Sequence, residues 1–267
     1  MEWKDATAMA QAVNQKQVSA KELVQETIDR IEKLNPTLNA VVSKQYEEAL
    51  KEAEKEDYLG KPFAGVPFLL KDLGQNEKGQ PSSAGSRLLA GRPAGHTDTY
   101  VQRLKDLGFI IVGRTNTPEF GFKNISDASL HGPVNLPLDP SRNAGGSSGG
   151  AAAALASGMV SIAAASDGGG SIRIPASFNG LIGLKTSRGR IPVGPKSYRG
   201  WQGASVNFAL TKSVRDTQRL LYHFQDYQLE APFPLAKLSE EGGVWKIVSP
   251  PKNRLLYQIS SREQGQS

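Results

Sequence analysis

Residues 143–176 read NAGGSSGGAAAALASGMVSIAAASDGGGSIRIPA. Two glycine–serine clusters, GGSSGG at 145–150 and DGGGS at 167–171, bracket a run of small residues. A flexible linker would account for the composition but not for the order. Alanine propagates a helix better than any other residue, so 147–159 reads as a close-packed helix rather than a linker. The segment VSIAAAS, 160–166, reads as a buried strand of small residues. A glycine loop therefore feeds a helix, the helix feeds a strand, and the strand feeds a second glycine loop. That order is the signature of an α/β layered fold.

The same alternation extends on both sides. HGPVNLPLDPSRNAGG, 131–146, is a proline-rich loop. Upstream, TDTYVQRLKDLGFIIVGRTNTPEFGF at 97–122 reads as a helix, a glycine stop and a buried strand over 109–112. FAGVPFLLKDL, 63–73, is an apolar run ending in Lys71 and Asp72. Residues 19–34 predict an amphipathic helix opened by a Ser19/Glu22 capping box, and the Asn35-Pro36 pair is expected to stop it. Residues 46–57 predict a second, highly charged helix. A further helix is expected to start at Ser213 and run to about Phe224. No internal repeat is present. The pattern degrades after Leu238, where EEGGVWKIVSPPKNRLLYQISSREQGQS shows little periodicity.

Composition narrows the function classes. The chain has 267 residues, 38% apolar and 22% charged, which fits a folded soluble protein. It has no cysteine, so disulfides, thiolate metal sites and a cysteine nucleophile are excluded; a reducing cytoplasm suits it. Three histidines without a ligand-spaced cluster argue against a metal centre. The start, MEWKDATAMAQAV, lacks the basic and apolar regions of a signal peptide, and no run reaches the length of a membrane span. The net charge of +6 is scattered apart from the basic last 26 residues, and no nucleic-acid motif appears, so no nucleic-acid partner and no membrane is expected.

The glycine clusters lack the GK[ST] of a Walker loop and the GxGxxG of a dinucleotide site. GGSSG does match the G-x-S-x-G nucleophile elbow, but that motif needs a strand directly before its serine, and the preceding segment is proline-rich. The only later histidine, His223, sits in the helix with Leu220, Leu221 and Phe224 and reads as structural. A serine nucleophile would then need another base. Lysine serves when burial lowers its pKa toward neutrality. Lys71 follows Phe68, Leu69 and Leu70 directly and is the lysine whose context favours desolvation; the competing reading is a surface lysine paired with Asp72.

GVPFLLKD, GRTNTPEFGF, NAGGSSGGAAAALASG and SDGGGSIRIPASFNGLIGLKTSRGR together resemble the amidase signature family of serine hydrolases, over roughly 19–224. Within it, DGGGSIRIPA is most similar to small-amide and cyclic-dimer hydrolases. The resemblance implies an α/β fold, a mixed central β-sheet with helices on both faces. It implies a Ser–cis-Ser–Lys triad: Lys71 as base, Ser147 as bridging residue after a cis peptide, Ser171 as nucleophile. It implies an oxyanion and substrate-binding set at Gly168, Gly169, Gly170 and Ser148, with Asp167 and Arg173 holding the loop. Hydrolysis of a small-molecule carboxamide through an acyl-serine, with no cofactor and no metal, follows from it. Ala144 stands where the family often has Pro, Ser166 where Thr is common, and KTS at 185–187 replaces KPT. Family members run well beyond this chain, so the C-terminal part of the sheet is expected to be missing. The organisation expected is one amidase signature domain over 1–238, a helical segment 1–60 and a catalytic core 61–238, followed by an atypical basic tail over 239–267, disordered or frameshifted. Two alternatives stay open: an inactive or structural truncated remnant, and a component like the A subunit of a tRNA-dependent amidotransferase. Self-association into a homo-oligomer is left open as well.

Overall fold

The computed structural model describes residues 4–225 and residue 238; the expected tail over 239–267 lies outside them. The chain opens with helix α1 (Ala6–Asn14), capped by Asp5, whose side chain accepts from the Ala8 N–H. Helix α2 (Ala20–Leu38) begins at the Ser19/Glu22 capping box the sequence announced. Its end differs from the expectation, because the helix passes through Pro36 to Leu38. Pro36 lies on the exposed side while Leu38 is buried, so the carbonyl that loses its amide partner stays wet and core packing decides the boundary. The Asn35 side chain then closes the turn with two hydrogen bonds to the Val41 backbone, of 2.8 and 2.9 Å.

Strand β1 (Val41–Lys44) follows, an element the sequence reading did not foresee. Helix α3 (Tyr46–Ala53) stops four residues short of the expected Asp57. Residues 54–57 are all exposed, so nothing apolar holds them in a helix, and buried Tyr58 turns the chain by donating to the Ala53 carbonyl at 3.0 Å. Strand β2 (Pro67–Lys71), helix α4 (Thr99–Asp106) and strand β3 (Ile110–Thr115) come next. Two small hairpins, β4 (Asp127–Ala128) with β5 (Gly132–Pro133) and β6 (Asn135–Leu136) with β7 (Asp139–Asn143), make up the proline-rich region. Helix α5 (Gly149–Ala156) and strand β8 (Ile162–Asp167) lie between the glycine clusters, in the order the sequence implied. Helix α6 (Arg173–Phe178), strand β9 (Ile182–Gly183), strand β10 (Val206–Thr211) and helix α7 (Val214–Phe224) complete the described chain.

Six strands form one mixed sheet in the order β1-β3-β2-β8-β10-β9. β3, β2 and β8 run parallel, and β1, β10 and β9 add antiparallel pairings at the edges. Every residue of β2 and β3 is buried, as expected of central strands covered by helices on both faces. α5 lies over β2, β3, β8 and β10, and its glycine start makes this approach feasible. A Cβ on Gly150 would come within 2.5 Å of the Ala40 carbonyl oxygen. Asp216 in α7 ties the chain start to the sheet, accepting from the Ala6 and Thr7 N–H groups at 2.9 Å and from the Thr7 hydroxyl at 2.6 Å.

Candidate active site

The parallel centre of the sheet ends in two polar tips. β2 ends at Lys71 and its neighbour β8 ends at Asp167. The two glycine clusters fold over these tips. A cleft of about 190 Å³ opens there, lined among others by Leu73, Gly121, Ser147, Ser166, Gly168, Ser171 and Trp201.

Lys71 is fully buried. Its Nζ donates to Ser147 Oγ at 2.7 Å and to Ser166 Oγ at 3.1 Å. Both partners are neutral hydroxyls. Burial pushes the ammonium down from the usual lysine range to about 7, and the nearby Asp167 charge only partly offsets this. The competing expectation, a solvated Lys71 paired with Asp72, does not match the structure. Asp72 turns to the other side, where it accepts from the Ser83 N–H at 2.9 Å and from the Ser83 hydroxyl, with His131 Nε2 3.7 Å away. Burial alone would raise the Asp72 carboxyl, but the His131 and Ser83 contacts prevail and hold it below its ordinary value.

Ser147 follows a cis peptide bond with Gly146 and is 2% exposed. The loop is braced from outside: Ser126 Oγ donates to the Ser147 carbonyl at 3.3 Å, and Asn143 accepts from the N–H groups of Ser126 and Gly145. Ser171 stands just before α6 and faces the same cleft; its hydroxyl makes no hydrogen bond to any described residue. Ser148 is fully buried and lies outside the cleft lining. Its backbone N–H donates to the Ser171 carbonyl at 3.3 Å, and its hydroxyl meets the Ser166 backbone at 3.4 Å, so it joins the two glycine clusters to each other.

Asp167 anchors the second cluster. Its carboxylate accepts Arg173 Nε at 2.8 Å and Nη2 at 2.9 Å, and the N–H groups of Gly170 at 2.8 Å and Ile172 at 3.2 Å. Lys185 adds a second cation, 3.4 Å from Asp167, while donating to the Gly168 and Ala204 carbonyls. Burial would raise this carboxyl, but the Arg173 fork and the backbone donors outweigh it and hold it at about 2. The Gly170 N–H is therefore committed to Asp167 and is not available to a substrate, which departs from the expectation. The Gly169 and Ser171 N–H groups donate to no acceptor among the described residues.

The structure thus brings Ser147, Ser171 and Gly168 to one cleft, with Lys71 buried behind it and hydrogen-bonded to Ser147 and Ser166. Sequence reasoning missed three contributors. Ser166 was noted only as a departure, although a polar residue ending a strand of alanines was a visible signal. Gly121 carries φ 72°, and a Cβ there would sit 3.3 Å from Ser147 Oγ, so only glycine lets this wall close on the hydroxyl. Trp201 lies over Gly168, and nothing in the local sequence placed it there. Among the described residues no cluster of His, Asp and Glu could hold a metal ion, and no helix is long and apolar enough to cross a membrane.

Comparison with known proteins agrees with this architecture. The chain is 45% identical to a lipoamidase of Enterococcus faecalis over 241 residues, 90% of this chain and 32% of the relative. It is 39% identical to a 6-aminohexanoate-cyclic-dimer hydrolase of Paenarthrobacter ureafaciens over 223 residues, 82% of this chain and 45% of the relative. Among solved structures, a bacterial aryl acylamidase of the amidase signature enzymes superposes with a TM-score of 0.84 at 37% identity, covering 88% of this chain and 50% of that one. The chain spans between about a third and a half of the length of these relatives. The Amidase family model matches residues 22–236, so the chain belongs to the amidase signature family.

Proposed function

We propose that the chain carries the catalytic centre of an amidase that hydrolyses a carboxamide C–N bond through an acyl-Ser171 intermediate. The observation that carries this reading is the fully buried Lys71 with Nζ 2.7 Å from Ser147 Oγ, in the cleft that Ser171 also lines. A lysine held near neutrality can accept a proton, which an ordinary solvated lysine at pH 7 cannot do. In this mechanism Ser171 Oγ attacks the amide carbonyl carbon. Its proton passes to Ser147, and the Ser147 proton passes to Lys71 Nζ. The Gly169 and Ser171 N–H groups receive the developing oxyanion; one such donor typically contributes about 3 kcal/mol to the transition state. The C–N bond then breaks and the leaving nitrogen takes the proton back along the same relay. Water, activated by the same base, attacks the acyl ester, frees the carboxylate and restores Ser171.

Ser148, Gly170, Asp167 and Arg173 support this site without touching substrate. Asp167 holds the backbone of the second cluster through the Gly170 and Ile172 N–H groups, with Ser171 between them. An acyl amide as substrate is in keeping with the names of two relatives, an aryl acylamidase and a 6-aminohexanoate-cyclic-dimer hydrolase.

A fluorophosphonate probe tests the reading, because it reports an activated serine without requiring the natural substrate. Labelling of wild type at Ser171, lost in Ser171→Ala and in Lys71→Ala, is the expected result. A folded wild-type chain that takes no label, or takes it at another serine, would overturn the mechanism.

A further inference from the structure

The cleft does not end at its polar floor. Gly121 and Trp201 both line it, and the residue after Gly121 is Phe122. The Phe122 and Trp201 rings stack with centroids 5.3 Å apart and planes 18° apart. Phe122 is nevertheless 74% exposed and Trp201 51% exposed, so the stack is an open apolar surface at the cleft mouth. Large exposed apolar surface contiguous with a polar cleft is how ligand grooves present themselves.

Trp201 is the packed member of the pair, and Phe122 is placed by stacking on it. The indole lies against the Gly168 backbone so closely that a Cβ there would come within 2.8 Å of it. Phe120, Trp201 and Gln202 have φ values of 50°, 49° and 55°, in the left-handed region that bulky residues enter only when their surroundings impose it. Those surroundings are visible: Ala204 donates to the Trp201 carbonyl at 3.0 Å, Ser205 to the Gly200 carbonyl at 3.1 Å, and Lys185 to both Gly168 and Ala204. Strained backbone at Trp201 that displays its ring to solvent, beside a cleft, is a costly arrangement for a loop with no ligand.

We propose that the stacked Phe122 and Trp201 rings form an aromatic shelf that binds the apolar arm of the amide substrate and makes the enzyme prefer longer acyl chains or aryl groups over short ones. This rests on the amidase reading above. The rings are too close to admit a third ring between them, so the arm lies along their open faces, running outward from Ser171. Because the Trp201 ring is already packed on Gly168 and stacked with Phe122, the shelf needs little rearrangement when an apolar arm settles on it. Each methylene covered by the shelf strengthens binding, so selectivity grows with arm length.

The test uses the full chain and two matched probes, N-acetyl-4-nitroaniline and N-hexanoyl-4-nitroaniline. Calorimetric titration into Ser171→Ala is expected to give about tenfold tighter binding of the hexanoyl probe, with most of that preference lost when Phe122→Ala is added. Phe122 is largely exposed, so its truncation leaves the core intact. In the active enzyme, kcat/KM is expected to show the same preference, and Phe122→Ala to reduce it chiefly through KM of the hexanoyl probe. Equal affinity for the two probes in Ser171→Ala, or a preference that survives both Phe122→Ala and Trp201→Ala, overturns the shelf. If wild type cleaves neither probe while the binding preference and its loss in Phe122→Ala persist, the shelf stands and the hydrolase reading falls.

Discussion

The tips of β2 and β8 each bury an ionisable group within the same site, and they treat it in opposite ways. Lys71 at the end of β2 is surrounded by neutral hydroxyls and is driven to about 7. Asp167 at the end of β8 is wrapped by Arg173, Lys185 and backbone N–H groups and is held at about 2. The first group has only neutral hydroxyls as hydrogen-bond partners, which leaves it able to change protonation state near neutrality. The second is saturated so that it never does. Under the proposed mechanism, proton transfer and scaffolding make contradictory demands on electrostatics, and adjacent parallel strands would meet one demand each.

The comparison breaks most sharply at Lys71. A guanidinium does not give up its proton in this pH range, so Lys71→Arg keeps a positive charge and removes the proposed base. Fluorophosphonate labelling should slow by a factor of about 10³ or more, close to the loss expected for removing a catalytic group altogether. In wild type, the labelling rate should rise through pH 7 as Lys71 becomes neutral, with a midpoint near 7. A rate that is flat between pH 5.5 and 8.5 would contradict the assignment of Lys71 as base.

Asp167 should show the reverse profile, a stability effect. Asp167→Ala leaves Arg173 and Lys185 facing an empty pocket and strips the N–H groups of Gly170 and Ile172 of their acceptor. The expected loss is about 3 kcal/mol, read as a lowered urea midpoint. Its folded pKa lies below the unfolded value of about 3.9, so the stabilisation is present above pH 4 and fades as pH falls toward 2. The mutant's deficit against wild type should therefore shrink across that window.

The sign at Lys71 is the opposite for stability. Its folded pKa of about 7 lies below the unfolded value of about 10.4, so folding costs a released proton as pH falls from about 10 to 7 and a buried charge below pH 7, where the penalty is full. Lys71→Met removes that penalty. It should raise stability by about 2 kcal/mol at pH 6, after the lost Ser147 and Ser166 hydrogen bonds are counted, with the gain vanishing as pH approaches 10. A variant both inactive and more stable marks a residue kept for chemistry; a destabilised Lys71→Met would show that the lysine is structural.

The sequence made these two tips unequally legible. The order of glycine loop, alanine helix, small-residue strand and second glycine loop was readable because alanine and glycine have strong and opposite backbone preferences over 143–176. Lys71 was readable because three apolar residues lead into it, a pattern that forecasts a buried strand end. Boundaries were less so. Pro36 was expected to stop α2, but a proline facing water costs less than exposing Leu38, and only the packed core reveals that balance. β1 was invisible because four residues at a sheet edge carry no periodic signal, and the shelf was invisible because Phe122 and Trp201 are 79 positions apart and meet only through the fold. The commitment of the Gly170 N–H to Asp167 was likewise hidden, since a glycine run alone does not say which way each amide points.

Ser166 gives the smallest and most discriminating test. It supplies the second acceptor for Lys71 Nζ, and its backbone sits against the Ser148 hydroxyl. If Lys71 must be aimed at Ser147 by a second neutral partner, Ser166→Ala frees the ammonium to swing while leaving Ser147, Ser171 and the Asp167 cradle in place. The labelling rate should then fall about tenfold, equivalent to about 1.4 kcal/mol in the barrier, with a change in the urea midpoint worth less than half of that. Ser166→Thr keeps the hydroxyl and should recover most of the rate. Its extra methyl costs little if the strand end tolerates a β-branched residue, which strands ordinarily do. A rate lost equally in Ser166→Ala and Ser166→Thr would assign the effect to packing at the β8 tip. Recovery in the threonine variant alone assigns it to the hydroxyl, and so completes the contrast between a lysine positioned by neutral groups and an aspartate fixed by charged ones.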